Sequence, residues 1–271
     1  MNMRFDQFWH GTLGQPYRLH TVRHGEPGKP VVILLHGIAA SGEYWNTLIP
    51  FLTPHYTCIT IDLLGFGKSS KPQWAEYNME QHVRSIRHTI RSLHIRGDFI
   101  LVGHSLGSLL ATRYVRRYPA KIQRLLLLSP PVYPRLDSIE GKMALHRTDL
   151  LMRIYRTLRE HPRITPHNLE RLGRLGVVPR SVRIRPDTWI PFKRSLEHCI
   201  EQQTILRDID SVGIPIDVFY GTLDSVVIGA NVRALARDHN VTLHRFTGSH
   251  TLGRTYAKVV AKLLTLPSST T

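Results

Sequence analysis

Cysteine is scarce in this chain, acidic side chains are few, and long apolar runs are missing. Only Cys58 and Cys199 are present among 271 residues. Two thiols cannot build a disulfide framework, so a reduced, cytoplasmic setting is the expectation. No stretch approaches the ~20 apolar residues a membrane span needs. The longest aliphatic run, Leu125-Leu126-Leu127-Leu128, fits a buried strand. The first residues, Met1-Asn2-Met3-Arg4-Phe5-Asp6, lack the apolar core of a signal peptide, and none is expected. Asp and Glu number 20 against 36 Lys and Arg, a formal charge of +16. That excess could serve nucleic acid or another anionic partner. The cations are scattered, however, with no run of five or six and no basic arm. Nucleic-acid binding is therefore not expected.

What the chain does have is an alternation of short apolar strands with helical patterns. Val31–Leu35, Thr57–Ile61, Phe99–Val102, Leu125–Leu128 and Ile216–Tyr220 read as strands, with a shorter one over Val241–Phe246. Between them, Ser41–Leu52 reads as a helix capped by Ser41. Met79–Leu93 places Met79, Val83, Ile86 and Ile90 at helical spacing. A helix is also expected from Leu106, and others over Ile228–His239 and Tyr256–Leu264. Continuous apolar strands separated by helices imply a mostly parallel sheet covered on both faces. Pro130-Pro131 breaks the rhythm. From Pro131 to Pro186 only helices are expected, over Met143–Glu160 and Asn168–Gly176, before a further helix over Ile190–Leu206. The reading is a core of residues 1–130 and 187–271 with a helical insertion at 131–186.

The most informative segment is Gly103-His104-Ser105-Leu106-Gly107, directly after the strand Phe99–Val102 and before a helix. A strand running through a glycine-flanked serine into a helix forms a sharp turn that exposes the hydroxyl. A helix N-cap serine would need no such glycines. A serine hydroxyl is a weak nucleophile and requires a base, an acid that orients the base, and N–H donors for the oxyanion. Asp224, in Gly221-Thr222-Leu223-Asp224, follows the strand Ile216–Tyr220. In open parallel sheets functional groups gather at the carboxyl ends of strands. Asp217 lies inside that strand, and Asp208 and Asp210 precede it, so Asp224 is the candidate acid. Among 16 histidines, His250 stands on the loop beyond the last strand, whereas His244 lies within it. His250 is the candidate base, and the order Ser, Asp, His matches such an elbow. The backbone N–H groups of Leu106 and Ile38, each at the end of a strand, are the candidate oxyanion donors.

Two motifs lead elsewhere and fail. Gly67-Lys68-Ser69 suggests a phosphate loop, but Asp62 stands where that loop needs glycine. Gly65-Phe66-Gly67 does not extend to a dinucleotide fingerprint, because Ser70 takes the last glycine's place. No His or Cys spacing suits zinc. No metal and no cofactor are expected.

Taken together, His36-Gly37 with Trp45, Asp62-Leu63-Leu64-Gly65-Phe66-Gly67-Lys68-Ser69, the Gly103–Gly107 elbow, Gly221–Asp224 and the His250 loop resemble the α/β-hydrolase superfamily over nearly the whole chain. The resemblance implies an α/β fold with an eight-stranded, mostly parallel sheet and a helical cap after the sixth strand. The chain departs from the family where Ser108 replaces a second elbow glycine and where no proline follows His250. Serine at the elbow argues against the haloalkane dehalogenase and epoxide hydrolase branches, which use aspartate there. The expected activity is hydrolysis of small-molecule carboxylic esters, thioesters or lactones. The rivals are a C–C bond hydrolase acting on a ring-cleavage product and a slow-turnover ligand sensor. Met143, Leu150, Leu151, Met152 and Ile154 are candidates either to line an acyl pocket or to pack the insertion onto the core. The segment 131–200 carries 14 Lys and Arg against seven Asp and Glu.

Overall fold

Residues 3–161, 164–165, 184–237 and 240–265 are described in a computed structural model. The helix expected over Asn168–Gly176 lies outside them. The first element is α1 (Met3–Asp6), continued by a π-helical turn over Gln7–Thr12. Phe5, Phe8 and Trp9 recur at helical rather than alternating spacing, so this stretch does not join the sheet. The strands are β1 (Thr21–His24), β2 (Val31–Leu35), β3 (Thr57–Ile61), β4 (Phe99–His104), β5 (Ile122–Leu128), β6 (Ile216–Gly221) and β7 (Val241–Phe246). They form one sheet in the order β1-β3-β2-β4-β5-β6-β7. Only β1 is antiparallel, at one edge. The described residues thus hold seven strands where the family resemblance implied eight.

Alternation along the strands sorts the core into two layers. Ile33, Leu35, Leu101, Leu125, Leu127 and Val218 join one apolar cluster. Their neighbours Val32, Leu34, Ile100, Val102, Leu126 and Phe219 join the other. Both faces are buried, as a parallel sheet requires. The first layer packs against α3 (Met79–Ser92) through Val83, Ile86 and Ile90, and against α4 (Leu106–Arg117) through Leu109 and Leu110. The second packs against the short α2 (Ile49–Leu52) and against α9 (Arg254–Thr265) through Tyr256, Ala257 and Val260. Ser41 does not cap the helical turn that follows it. The first N–H there, Gly42, donates to the Asp62 carboxylate at 2.6 Å instead.

Between β5 and β6 the chain leaves the sheet and returns through helices. These are α5 (Lys142–Glu160), α6 (Trp189–Ser195) with a π-helical continuation over Leu196–Glu201, and α7 (Ile205–Ile209). After β6 comes α8 (Gly229–Arg233) with a 3-10 turn over Ala234–Arg237. Polar contacts tie α5 to the core: Asn231 Nδ2 donates to Thr148 Oγ1 at 3.0 Å, and Tyr155 meets Tyr133, whose hydroxyl donates to the Val226 carbonyl at 2.9 Å.

Candidate active site

β2, β4, β6 and β7 run parallel, so Ile38, Ser105, Asp224 and His250 all emerge at one end of the sheet. Ser105 has φ 52° and ψ −118°, a left-handed conformation that costs a non-glycine residue about 1–3 kcal/mol. The turn is imposed by close packing. A Cβ at Gly103 would overlap the Gly107 carbonyl and come within 2.7 Å of Ser108 Cα. One at Gly107 would overlap the Leu35 carbonyl and come within 2.6 Å of that of His36. Ser105 stands at the N-cap of α4, yet its side chain makes no capping bond. The hydroxyl is thereby left for other work. Leu106 opens α4, where the N–H groups have no partner within the helix and favour negative charge.

His250 Nδ1 lies 2.8 Å from Asp224 Oδ2. The other carboxylate oxygen accepts N–H bonds from Val226 and Val227, each at 2.9 Å. Burial by itself would raise the Asp224 pKa. The hydrogen bond and positive field of His250, with the two backbone donors, outweigh it and hold the carboxyl below its ordinary value. An ionised Asp224 fixes the proton on His250 Nδ1 and leaves Nε2 as the basic nitrogen. The acid and histidine loops are laced together at the ends of β6 and β7. Leu223 N donates to the Gly248 carbonyl at 3.0 Å, and a Cβ at Gly221 would overlap that same carbonyl.

Ser105, His250 and Ile38 line one cavity of about 260 Å³. Ser105 Oγ and the His250 ring share its wall without a hydrogen bond between them; such contacts often tighten only when substrate binds. Leu150, Leu151 and Ile154 also line it, whereas Met143 is exposed and Met152 packs on the core cluster. Phe192, Leu196 and Ile200, from α6 and its continuation, complete an apolar wall.

Two residues not singled out in the sequence support the site. Tyr44 OH accepts from Leu252 N at 2.9 Å and lies 2.9 Å from His104 Nε2. That nitrogen is also 2.9 Å from the His250 carbonyl. A carbonyl only accepts, so Nε2 carries the proton and Nδ1 is a buried acceptor with no partner. Burial, with the neighbouring His250 adding to it, lowers the His104 pKa to about 3. This pair holds the loop where a proline is missing after His250. His104 was visible inside the elbow motif, but nothing in the sequence linked it to Tyr44, 60 residues away.

The rival residues are engaged elsewhere. Asp217 pairs with Arg124 and, at 2.7 Å, with His244. Asp208 pairs with Arg113 and Arg116. Asp62 accepts from Gly42, Lys68 and His20, so the segment that resembled a phosphate loop is a turn wound around a carboxylate. His36 Nδ1 donates to the Gly37 carbonyl at 2.7 Å and its Nε2 accepts from Leu63 N, which pins the peptide preceding Ile38. Among the described residues no group of three His, Cys, Asp or Glu could hold a metal. None of the described helices is long and apolar enough to cross a membrane.

Residues 30–156 match the model of the alpha/beta hydrolase fold family. The chain also has the fold of two solved structures: a bromoperoxidase from Bacillus anthracis (TM-score 0.72, 22% identity, covering 91% of this chain and 93% of that one) and an enol-lactonase from Burkholderia xenovorans (TM-score 0.68, 18% identity, covering 91% and 94%). The likeness is one of fold: this chain has the α/β-hydrolase fold. It is 35% identical to an Arabidopsis thaliana protein described as a probable lysophospholipase, BODYGUARD 1, over 115 residues. Those residues are 41% of this chain and 24% of that protein, so the match spans about a quarter of the relative's length.

Proposed function

We propose that this α/β-hydrolase is a serine hydrolase that cleaves carboxylic esters, thioesters or lactones of small molecules. The observation that carries the reading is the His250–Asp224 hydrogen bond at 2.8 Å beside a cavity whose wall also holds Ser105 on its strained turn. His250 Nε2 takes the Ser105 proton as Oγ attacks the substrate carbonyl. Asp224 holds the imidazole tautomer and stabilises the imidazolium that forms. The N–H groups of Leu106 and Ile38 bind the oxyanion of the tetrahedral intermediate. Collapse releases the alcohol, which takes the proton from His250, and leaves an acyl-enzyme. Water, deprotonated by His250, then attacks the acyl carbonyl and restores Ser105.

Among the described residues α5 acts as a cap over this centre, and its apolar side chains shape the acyl site. The match to a probable lysophospholipase supports ester cleavage. The solved relatives carry different chemistries on one fold, so the choice of reaction rests on serine at the elbow. A graded series of p-nitrophenyl esters tests the proposal. Ser105→Ala is expected to remove turnover of every member that the native protein cleaves. Activity near the native level in that variant would refute it.

A further inference from the structure

We infer that the cavity accepts an ester whose apolar chain also carries an anionic group, a carboxylate or a phosphate, and that Arg147 binds that group. The inference rests on the serine-hydrolase reading for the ester and on the cavity wall for the anion.

The α5 residues on the wall are Arg147, Leu150, Leu151, Ile154, Tyr155 and Leu158. Their spacing of three and four places them on one helical face. Along that face Arg147 stands at one end and the apolar residues follow, over about 16 Å of helix at 1.5 Å per residue. The surface is amphiphilic along its length. Among the described residues no Asp or Glu lines the cavity, and Arg147 is the one permanent formal charge on its wall.

Two other arginines of the helix differ. On the same helix Arg153 pairs with Asp149, and Arg159 pairs with Glu160, Glu197 and Glu201. Arg147 has no carboxylate within ion-pair distance among the described residues. Its place is also fixed. The next residue, Thr148, is buried and accepts from Asn231. The charge of Arg147 acts on Tyr133, whose hydroxyl bonds the Val226 carbonyl, and Val226 and Ser225 line the cavity just beyond Asp224. Arg147 therefore shares the cavity wall with Ser225 and Val226, just beyond Asp224. A half-buried guanidinium beside apolar walls gains most from an anion that offers two oxygens for its fork to grip at once. An uncharged substrate would leave it without a partner.

The test compares matched probes on the native protein, Arg147→Gln and Arg147→Lys. The kinetic pair is the mono-p-nitrophenyl ester of suberic acid, which bears a carboxylate, and neutral p-nitrophenyl octanoate. Arg147→Gln is expected to lower kcat/KM for the anionic ester roughly 10- to 100-fold, mainly through KM, the range for losing a charged hydrogen-bond partner. The neutral ester should change by less than about twofold, and Arg147→Lys should restore part of the loss, since it keeps the charge without the fork. Calorimetric binding of octyl phosphate, octanoate and octanol needs no turnover. The two anions should weaken in Arg147→Gln while octanol does not, and the larger of the two changes tells phosphate from carboxylate. Equal losses for charged and neutral probes, or no loss for either anion, would overturn the inference. If none of the esters is cleaved but anion binding still depends on Arg147, the hydrolase reading fails and the anion site stands.

Discussion

Asp224→Asn gives the sharpest test of the proposed triad, because the structure dictates which way the new amide must point. Asp224 Oδ1 accepts two backbone N–H bonds, from Val226 and Val227 at 2.9 Å. An asparagine keeps both only by placing its oxygen there. Its NH₂ then faces His250 Nδ1, where a carboxylate oxygen now lies at 2.8 Å. A donor at that position forces Nδ1 to accept, so the ring proton moves to Nε2. His250 can then no longer take a proton from Ser105. A wrong-tautomer change of this kind costs about 10⁴ in kcat in serine proteases, equivalent to about 5.5 kcal/mol of barrier. Stability should change little, since both backbone donors keep a partner. Asp224→Ala is the contrast: it orphans two N–H groups, at about 1–3 kcal/mol each, and should lose stability as well as activity. The assay is hydrolysis of p-nitrophenyl butyrate at neutral pH, with urea unfolding of the same samples. Asp224→Asn activity within about tenfold of native would refute the tautomer argument and Asp224 as the orienting acid.

Two further outcomes follow from packing and burial. Gly107→Ala drives a Cβ into the Leu35 carbonyl and within 2.6 Å of that of His36. Backbone cannot swing aside as a flexible side chain could, so urea unfolding should show a loss of about 3 kcal/mol; a loss under about 1 kcal/mol would contradict the account of the elbow. His82 and His104 are fully enclosed, and burial lowers each pKa from 6.5 to about 3. The unfolded imidazoles take up protons below about pH 6.5 and the folded ones only near pH 3, so stability falls as pH drops through that window and is full above it. Each contributes a slope of up to about 1.4 kcal/mol per pH unit. His82→Leu should flatten the acid limb of a stability–pH curve by about that amount, and an unchanged slope would refute the assignment.

Much of the fold was legible because its signals are local. β2 and β3 begin and end where apolar runs predict, since a strand buried on both faces must be largely apolar, and β7, a half-exposed edge strand carrying His244 and Arg245, also keeps its expected bounds. The elbow was legible for a related reason: Gly103 and Gly107 have no room for a Cβ, so the sequence records the contact. β1 was missed. Thr21–His24 carries one apolar residue, and it is a strand only because β3 offers an edge to pair with. The single helix read over Ile190–Leu206 is instead α6, a π-helical stretch and α7, a division that packing against Tyr77 and Arg113 can impose and composition cannot.

By itself the sequence determined the layered α/β architecture and the order of serine, aspartate and histidine along it. Periodicity and glycine placement are written residue by residue. Tertiary structure alone decided the rest. It brings Asp224 and His250, which the sequence nominates, to 2.8 Å from each other on neighbouring loops, and sets His250 on the cavity wall that also holds Ser105. It put His104 and Tyr44 behind that loop, and it left Arg147 on the cavity wall with no carboxylate partner among the described residues, while Arg153 and Arg159 of its helix pair with theirs. Each of these is a distance between residues far apart in the chain. Such distances are fixed by the register of parallel strands and by the seating of α5, which no local pattern encodes.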